Sequence, residues 1–221
     1  MSQYKYQYLL AAQLLLSFIS PIFSTTPYAR PVVDLAITAV FVTAIIVIAN
    51  TRKHLVIGLI LMIPTLAVTW GIKIYHVEAL EFISLLGSVF FFSYIAGLIL
   101  IDIFRAEMVT LNIIAAGISV YLFFGNICGF MYAIIGHIDP GAFNIPATTA
   151  NYLGDDVSSL GSAMYFSFVT LTTLGYGDIT PINPFARSLA FLEAAMGQIY
   201  LTVLIASLVG VHISSSGEGG K

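Results

Sequence analysis

The sequence predicts an all-α polytopic membrane protein of six transmembrane helices with one shorter re-entrant segment. Three observations predict it. Apolar residues make up 59% of the chain and charged residues 9%, with a mean hydropathy of +0.98, whereas average soluble chains carry about 25% charge. Apolar runs of near membrane-crossing length recur along the 221 residues, each closed by charges or turn residues. One further apolar run is too short to cross and leads directly into a glycine-rich loop. This composition excludes a water-soluble globular domain. The net charge of −3 is small, and no basic stretch suggests nucleic acid.

The first predicted span covers residues 6–23 and ends at the Ser-Thr-Thr-Pro of 24–27. Lys5 ahead of it gives it the look of a signal peptide, but no small-residue cleavage site follows, so it counts as a span. The second covers 32–49 and is closed by Arg52, Lys53 and His54. The third covers 55–70, with Pro64 as a candidate kink. The fourth, 82–101, is twenty residues without a charge. The fifth covers 109–135 and the sixth 188–213.

With both termini inside, the inner side receives five cations, Lys5, Arg52, Lys53, Arg105 and Lys221, against Arg30, Lys73 and Arg187 outside. That is the positive-inside direction. The outer side holds Asp34, Glu78, Glu81, Asp139, Asp155, Asp156 and Asp178. These either form a negative vestibule that gathers cations or simply cap spans and solvate loops. Cys128 is the single cysteine and reads as a buried, inert thiol. His54, His76, His137 and His212 show no metal-ligand spacing. His137 with Asp139 reads as a solvated loop rather than a proton sensor. Gln13, Asn112, Asn126 and Gln198 are isolated polar groups in apolar runs, suited to interhelical hydrogen bonds of about 0.6 kcal/mol each.

The decisive segment is Thr170-Leu-Thr-Thr-Leu-Gly-Tyr-Gly-Asp178, between the fifth and sixth spans. Gly175 and Gly177 lack a Cβ and can take left-handed backbone angles. Alternating such angles with ordinary ones turns successive carbonyls the same way. Four copies around one axis would replace the water shell of an ion with carbonyl oxygens. The short helix before the loop is expected to start at Ser158 or Ser159, either of which can cap it, and to end at Thr172. Its last carbonyls would point the negative end of the helix dipole at a cation-holding cavity.

The run from Ala163 to Pro181 resembles the pore helix and selectivity filter of the tetrameric potassium channels. The run from Leu192 to Gly210 is similar to the inner helix of their prokaryotic members, in the six-span arrangement. Roughly the last 110 residues carry the likeness. It implies K+ ions held by the carbonyls of Thr173, Leu174, Gly175 and Tyr176, with Gly177 completing the filter and the Thr173 hydroxyl forming the innermost site. Permeant K+ is then the only ion needed, and no cofactor. Thr172, Asp178, Tyr165 and Glu193 become candidate supports of the filter. Leu174 stands where the family usually has valine, so its side chain is expected to pack behind the filter. Tyr165 and Phe166 stand where members often have tryptophan, and the Tyr165 hydroxyl is the candidate partner of the filter tyrosine. Val169 stands where some members carry a carboxylate, so Asp178 needs another partner or faces outer water. Glu193 is either a brace to the pore helix or an ion ligand. Gly197 matches the place of a hinge glycine, with close helix packing as the other reading. Leu201, Ile205 and Val209 line the cavity or inner constriction, or pack as ordinary core.

One filter motif per chain implies four chains, so the expected partners are three further copies and membrane lipids. Residues 1–105 would form a peripheral domain, 106–213 the pore domain and 214–221 a short tail. A voltage-sensing helix needs repeated cations, each worth about 2.3 kcal/mol per 100 mV; residues 82–101 carry none, and Arg105 lies beyond them. Residues 102–108 leave little room for a linker helix. A ligand-sensing domain does not fit in the tail and would belong to a longer chain or a separate regulatory subunit. The expected function is passive, potassium-selective permeation in a prokaryotic plasma membrane, with both termini cytoplasmic. The alternatives are a weakly selective cation channel, or a non-conducting or transporter-associated subunit. No paired His, Asp or Ser–Lys groups suggest an enzyme.

Overall fold

The computed structural model describes residues 4–23, 30–49, 51–75, 78–146 and 160–218. Among them the chain forms helices α1 (Lys5–Phe23), α2 (Arg30–Ile48), α3 (Arg52–Tyr75), α4 (Glu78–Phe104), α5 (Leu111–Ile138), α6 (Leu160–Leu171) and α7 (Pro184–Glu218). Two short strands, β1 (Phe143–Asn144) and β2 (Thr180–Pro181), pair antiparallel, Phe143 opposite Pro181 and Asn144 opposite Thr180. Among the described residues four helices are long and apolar enough to cross a membrane, over Arg52–Gly71, Leu80–Phe104, Leu111–Ile138 and Pro184–Val211. The chain is an all-α polytopic membrane protein. The apolar stretches Leu35–Ile48 of α2 and Leu160–Leu171 of α6 are shorter. The candidate caps Ser158 and Ser159 lie outside the described residues.

Local chemistry explains where the helices begin. Thr110 is extended (φ −118°, ψ 160°) and its side chain accepts from the Ile113 amide at 3.3 Å, which caps α5. Helix α7 starts four residues ahead of the predicted span, at Pro184 rather than 188. Proline suits the first helical position, and Asn183 Oδ1 accepts from the Phe185 amide at 2.8 Å. Helix α3 runs through Pro64 as one helix.

Helix α5 is the centre of the molecule. α1, α4, α6 and α7 all pack on it, while α2 joins α1 and α3 joins α4. An aromatic column ties the outer helices to α5. Phe92 of α4 is fully buried, with ring centroids 5.0 Å from Phe41 of α2, 5.0 Å from Phe123 and 5.6 Å from Phe130 of α5. Such pairs contribute about 0.5–1.5 kcal/mol beyond area burial. Polar ties add register. Gln13 of α1 donates to the Ser119 carbonyl of α5 at 3.2 Å, and the Tyr6 amide donates to Asn112 Oδ1 at 3.2 Å. The Tyr6 hydroxyl donates to Asp102, whose carboxylate also lies 3.5 Å from Lys5 Nζ.

The seat of α6 on α5 depends on missing side chains. A Cβ at Gly125 would stand 2.6 Å from the Phe168 ring, and one at Gly129 would stand 2.5 Å from Met164 Sδ. Small residues at such crossings let helix backbones approach closely. Residues 105–110, between α4 and α5, contain no helix.

Candidate functional site

Helix α6 ends in a turn that aims the loop behind it. The Leu174 amide donates to the Val169 carbonyl at 3.0 Å, and the Thr173 amide donates to the Thr170 carbonyl at 2.9 Å. With Thr173 at φ +59°, this is a Schellman ending, whose left-handed position is normally glycine. Gly175 and Gly177 follow at φ +57° and +77°. Left-handed angles therefore fall on alternate residues, 173, 175 and 177. Nothing lies within 4 Å of a Cβ built on either glycine, so the demand for glycine there is conformational rather than steric.

Two successive amides share one acceptor. Besides Leu174, the Gly175 amide donates to the Val169 carbonyl, at 3.2 Å. The peptides are trans, and in a planar trans peptide the N–H and C=O point in opposite directions. The carbonyls of Thr173 and Leu174 are thus both turned away from α6, side by side along the chain. Residues 172–177 are all exposed, Leu174 at 54% and Tyr176 at 65%. A bare loop at membrane depth is tolerated only where it lines water or meets protein. The last carbonyls of α6 have hydrogen-bond partners. Val169 and Thr170 give theirs to the loop, and the Leu171 carbonyl accepts from the Tyr121 hydroxyl at 3.2 Å.

The end of the loop away from α6 is held by Asp178. The Tyr165 hydroxyl donates to Asp178 Oδ2 at 2.6 Å, and the Ile179 amide donates to Oδ1 at 3.1 Å. The expected pairing of Tyr165 was with Tyr176; in the structure the phenol donates to the Asp178 carboxylate. It also answers where Asp178 turns with valine at position 169. Beyond Asp178, the Ala142 carbonyl accepts the Ile182 and Asn183 amides at 2.7 and 3.1 Å, and Asn183 donates to Asp139 at 2.9 Å. Phe143 of β1 packs on Phe166 of α6 and Tyr132 of α5, centroids 5.4 and 5.8 Å away. The segment after α5 thereby clamps the chain leaving the loop.

Behind the loop, Glu193 of α7 is 3% exposed. Tyr132 of α5 donates to its Oε2 at 2.7 Å, and the Ser167 hydroxyl of α6 bonds to its Oε1. Ser167 also reaches the Gly125 carbonyl at 2.7 Å. One carboxyl group therefore joins α5, α6 and α7. Thr172 Oγ1 turns back to the Phe168 carbonyl at 2.6 Å, while Thr173 Oγ1 accepts from Gln198 of α7 at 3.4 Å. Gly197 lies in an unbroken helix, and a Cβ there would stand 2.6 Å from the Leu171 carbonyl oxygen. Close packing on the end of α6 is what this glycine permits. Ile205 and Val209 are exposed at 59% and 51%, and Leu201 is half-buried. The structure does not bring these three to the loop.

Sequence reasoning missed several of these groups. Tyr121 and Tyr132 carry no mark that separates them from other aromatics in apolar runs. Their positions, with Gly125 and Gly129 on the same helix, show only when α6 is docked. The left-handed angle of Thr173 was missed as well. Its place two residues before Gly175 was the available signal.

Residues 108–213 match the family model described as "Ion channel". The chain is also similar to curated proteins over shorter stretches. It is 34% identical over 59 residues to Two-pore potassium channel 5 of Arabidopsis thaliana, covering 27% of this chain and 14% of that protein. It is 45% identical over 51 residues to Inward rectifier potassium channel Kirbac3.1 of Paramagnetospirillum magnetotacticum, 23% of this chain and 17% of that one. It is 38% identical over 56 residues to Protein LctB of Geobacillus stearothermophilus, 25% of this chain and 41% of that one. The matched stretches thus span from 14% to 41% of the length of these relatives. No solved structure matches the chain.

Proposed function

We propose that four copies of this chain form a potassium-selective channel in which K+ passes down its gradient between the carbonyls of residues 173–176. The observation that carries the reading is the pair of carbonyls at Thr173 and Leu174, turned the same way by one shared acceptor and continued by left-handed Gly175 and Gly177. Carbonyl rings of this kind replace a hydration shell. One chain offers one wall of such a cage, and its loop is exposed along its length; fourfold closure supplies the other three walls. The ion-channel match over residues 108–213 and the potassium-channel names of two relatives support the same reading.

In this proposal residues 106–213 are the pore domain and 1–105 a peripheral domain. α1 and α2 join the four longer helices as spans, both termini are cytoplasmic, and the membrane is a prokaryotic plasma membrane. The chain moves ions without covalent chemistry. Helix α4 carries no lysine or arginine, so conductance is weakly sensitive to voltage. The test is recording from purified protein in planar bilayers under opposed K+ and Na+ gradients. Reversal near the K+ equilibrium potential with a shallow conductance–voltage curve is the expected result. Equal permeability to the two ions would overturn selectivity, and a steep sigmoid would overturn the view of α4.

A further inference from the structure

Gln198 is a carboxamide near the middle of the apolar stretch Pro184–Val211 of α7, roughly 20 Å from either end at 1.5 Å per residue. A polar group at that depth is disfavoured against lipid and belongs against protein or water. The rotation of α7 decides where it goes. Glu193 and Gly197 are turned to α6, the Tyr200 hydroxyl donates to the Gly117 carbonyl of α5 at 2.7 Å, and Leu204 packs over Gly117. Positions 193, 197, 200 and 204 share one helical face. Gln198, Thr202, Ile205 and Val209 repeat the same spacing on another side, and all four are exposed. Gln198 heads that stripe, one residue past the glycine that lets α7 touch the end of α6. It therefore stands beside the start of the loop.

There Gln198 Nε2 donates to Thr173 Oγ1 at 3.4 Å, a long bond. The Thr173 hydroxyl has few other uses within its own turn. Threonines in a helix often bond back to a carbonyl three or four residues earlier, as Thr172 does to Phe168 at 2.6 Å. For Thr173 those carbonyls belong to Thr170 and Val169, and backbone amides already occupy both. A hydroxyl carries one donor and two lone pairs. Gln198 engages one lone pair, which selects among the three staggered positions of the side chain and leaves the other lone pair open.

We propose that Gln198 is a positioning residue for the innermost ion site, its amide holding the Thr173 hydroxyl so that the free lone pair is presented to K+. The inference rests on the channel reading, in which the exposed stripe of α7 faces the ion path. It gives a site built from the loop one determinant on α7, and occupancy of that site then depends on a side chain outside the loop.

Ba2+ is the probe, since it is close to K+ in size and doubly charged. Its block of K+ current is measured in planar bilayers for the full chain, Gln198→Leu, Thr173→Ala and the double variant. Calorimetric titration of Ba2+ into the assembled protein in detergent covers any variant that passes no current. Gln198→Leu is expected to weaken Ba2+ about threefold, the low end for one hydrogen bond. Where Thr173→Ala has already removed the hydroxyl, adding Gln198→Leu should weaken it no further, because groups acting through one contact are not additive. Gln198→Asn keeps the amide but falls one methylene short, and it should behave as Gln198→Leu does. Equal losses in both backgrounds would mean that Gln198 only packs, and wild-type affinity in Gln198→Asn would mean that reach is irrelevant; either overturns the proposal. A wild-type protein that passes K+ selectively while the losses add leaves the channel reading standing and removes this one alone. Equal K+ and Na+ permeability in the wild type removes both.

Discussion

Glycine is required at 175 and 177 by backbone angle, with room around both for a methyl group. A left-handed angle costs a residue with a Cβ about 1–2 kcal/mol. Gly177→Ala is therefore expected to leave the helices folded and to abolish selective K+ flux, as checked by circular dichroism beside flux into vesicles. Retention of wild-type flux would show that the angle is not demanded. Thr173 already bears such an angle at φ +59°, and two hydrogen bonds of the α6 ending hold it there. Strain of this kind persists where surrounding bonds over-determine it. The sequence made the glycine positions legible, since glycine is the one residue whose backbone freedom is written in its identity. It left Thr173 illegible, because threonine reveals a left-handed angle only through the turn around it. The partner of Asp178 was illegible for a related reason. Tyr165 reaches it across thirteen positions, over a loop whose course the left-handed residues set.

Between elements, Glu193 and Gly197 set α7 against α6. Glu193→Gln keeps an acceptor for Tyr132 and a donor for Ser167, so it is expected to change stability little. Glu193→Val leaves the buried Tyr132 hydroxyl without its acceptor, at about 1–3 kcal/mol, while Ser167 keeps its bond to the Gly125 carbonyl. Thermal unfolding of the pair in detergent checks this, and equal midpoints would sink it. Gly197→Ala puts a methyl 2.6 Å from a backbone oxygen, which cannot swing aside as a side chain does. That substitution is expected to destabilise by about 1–3 kcal/mol. Gly97→Ala on α4 meets nothing within 4 Å and is expected to stabilise by up to about 1 kcal/mol through helix propensity. Opposite shifts in unfolding midpoint are the signature. Helix existence was legible from hydropathy, and observed ends lie within a few residues of the predicted ones. The strand pair joining Phe143–Asn144 to Thr180–Pro181 was not, because two-residue strands carry no period.

For the molecule as a whole, α5 takes contacts from both halves of the same chain, and the link from α4 spans only residues 105–110. Each chain thus wraps its outer helices around its own central one. Tyr6, Gln13 and Phe92 make their bonds and stacks to α5 without help from a neighbour. An oligomer of such chains is built from finished units set side by side, not from interleaved ones. Dissociation then requires no unfolding. Mixing two differently tagged populations in mild detergent should yield hybrid assemblies in statistical proportion, read by native mass spectrometry, while helicity stays constant throughout. Populations that stay unmixed until the helices melt would mean that neighbouring chains are threaded through one another.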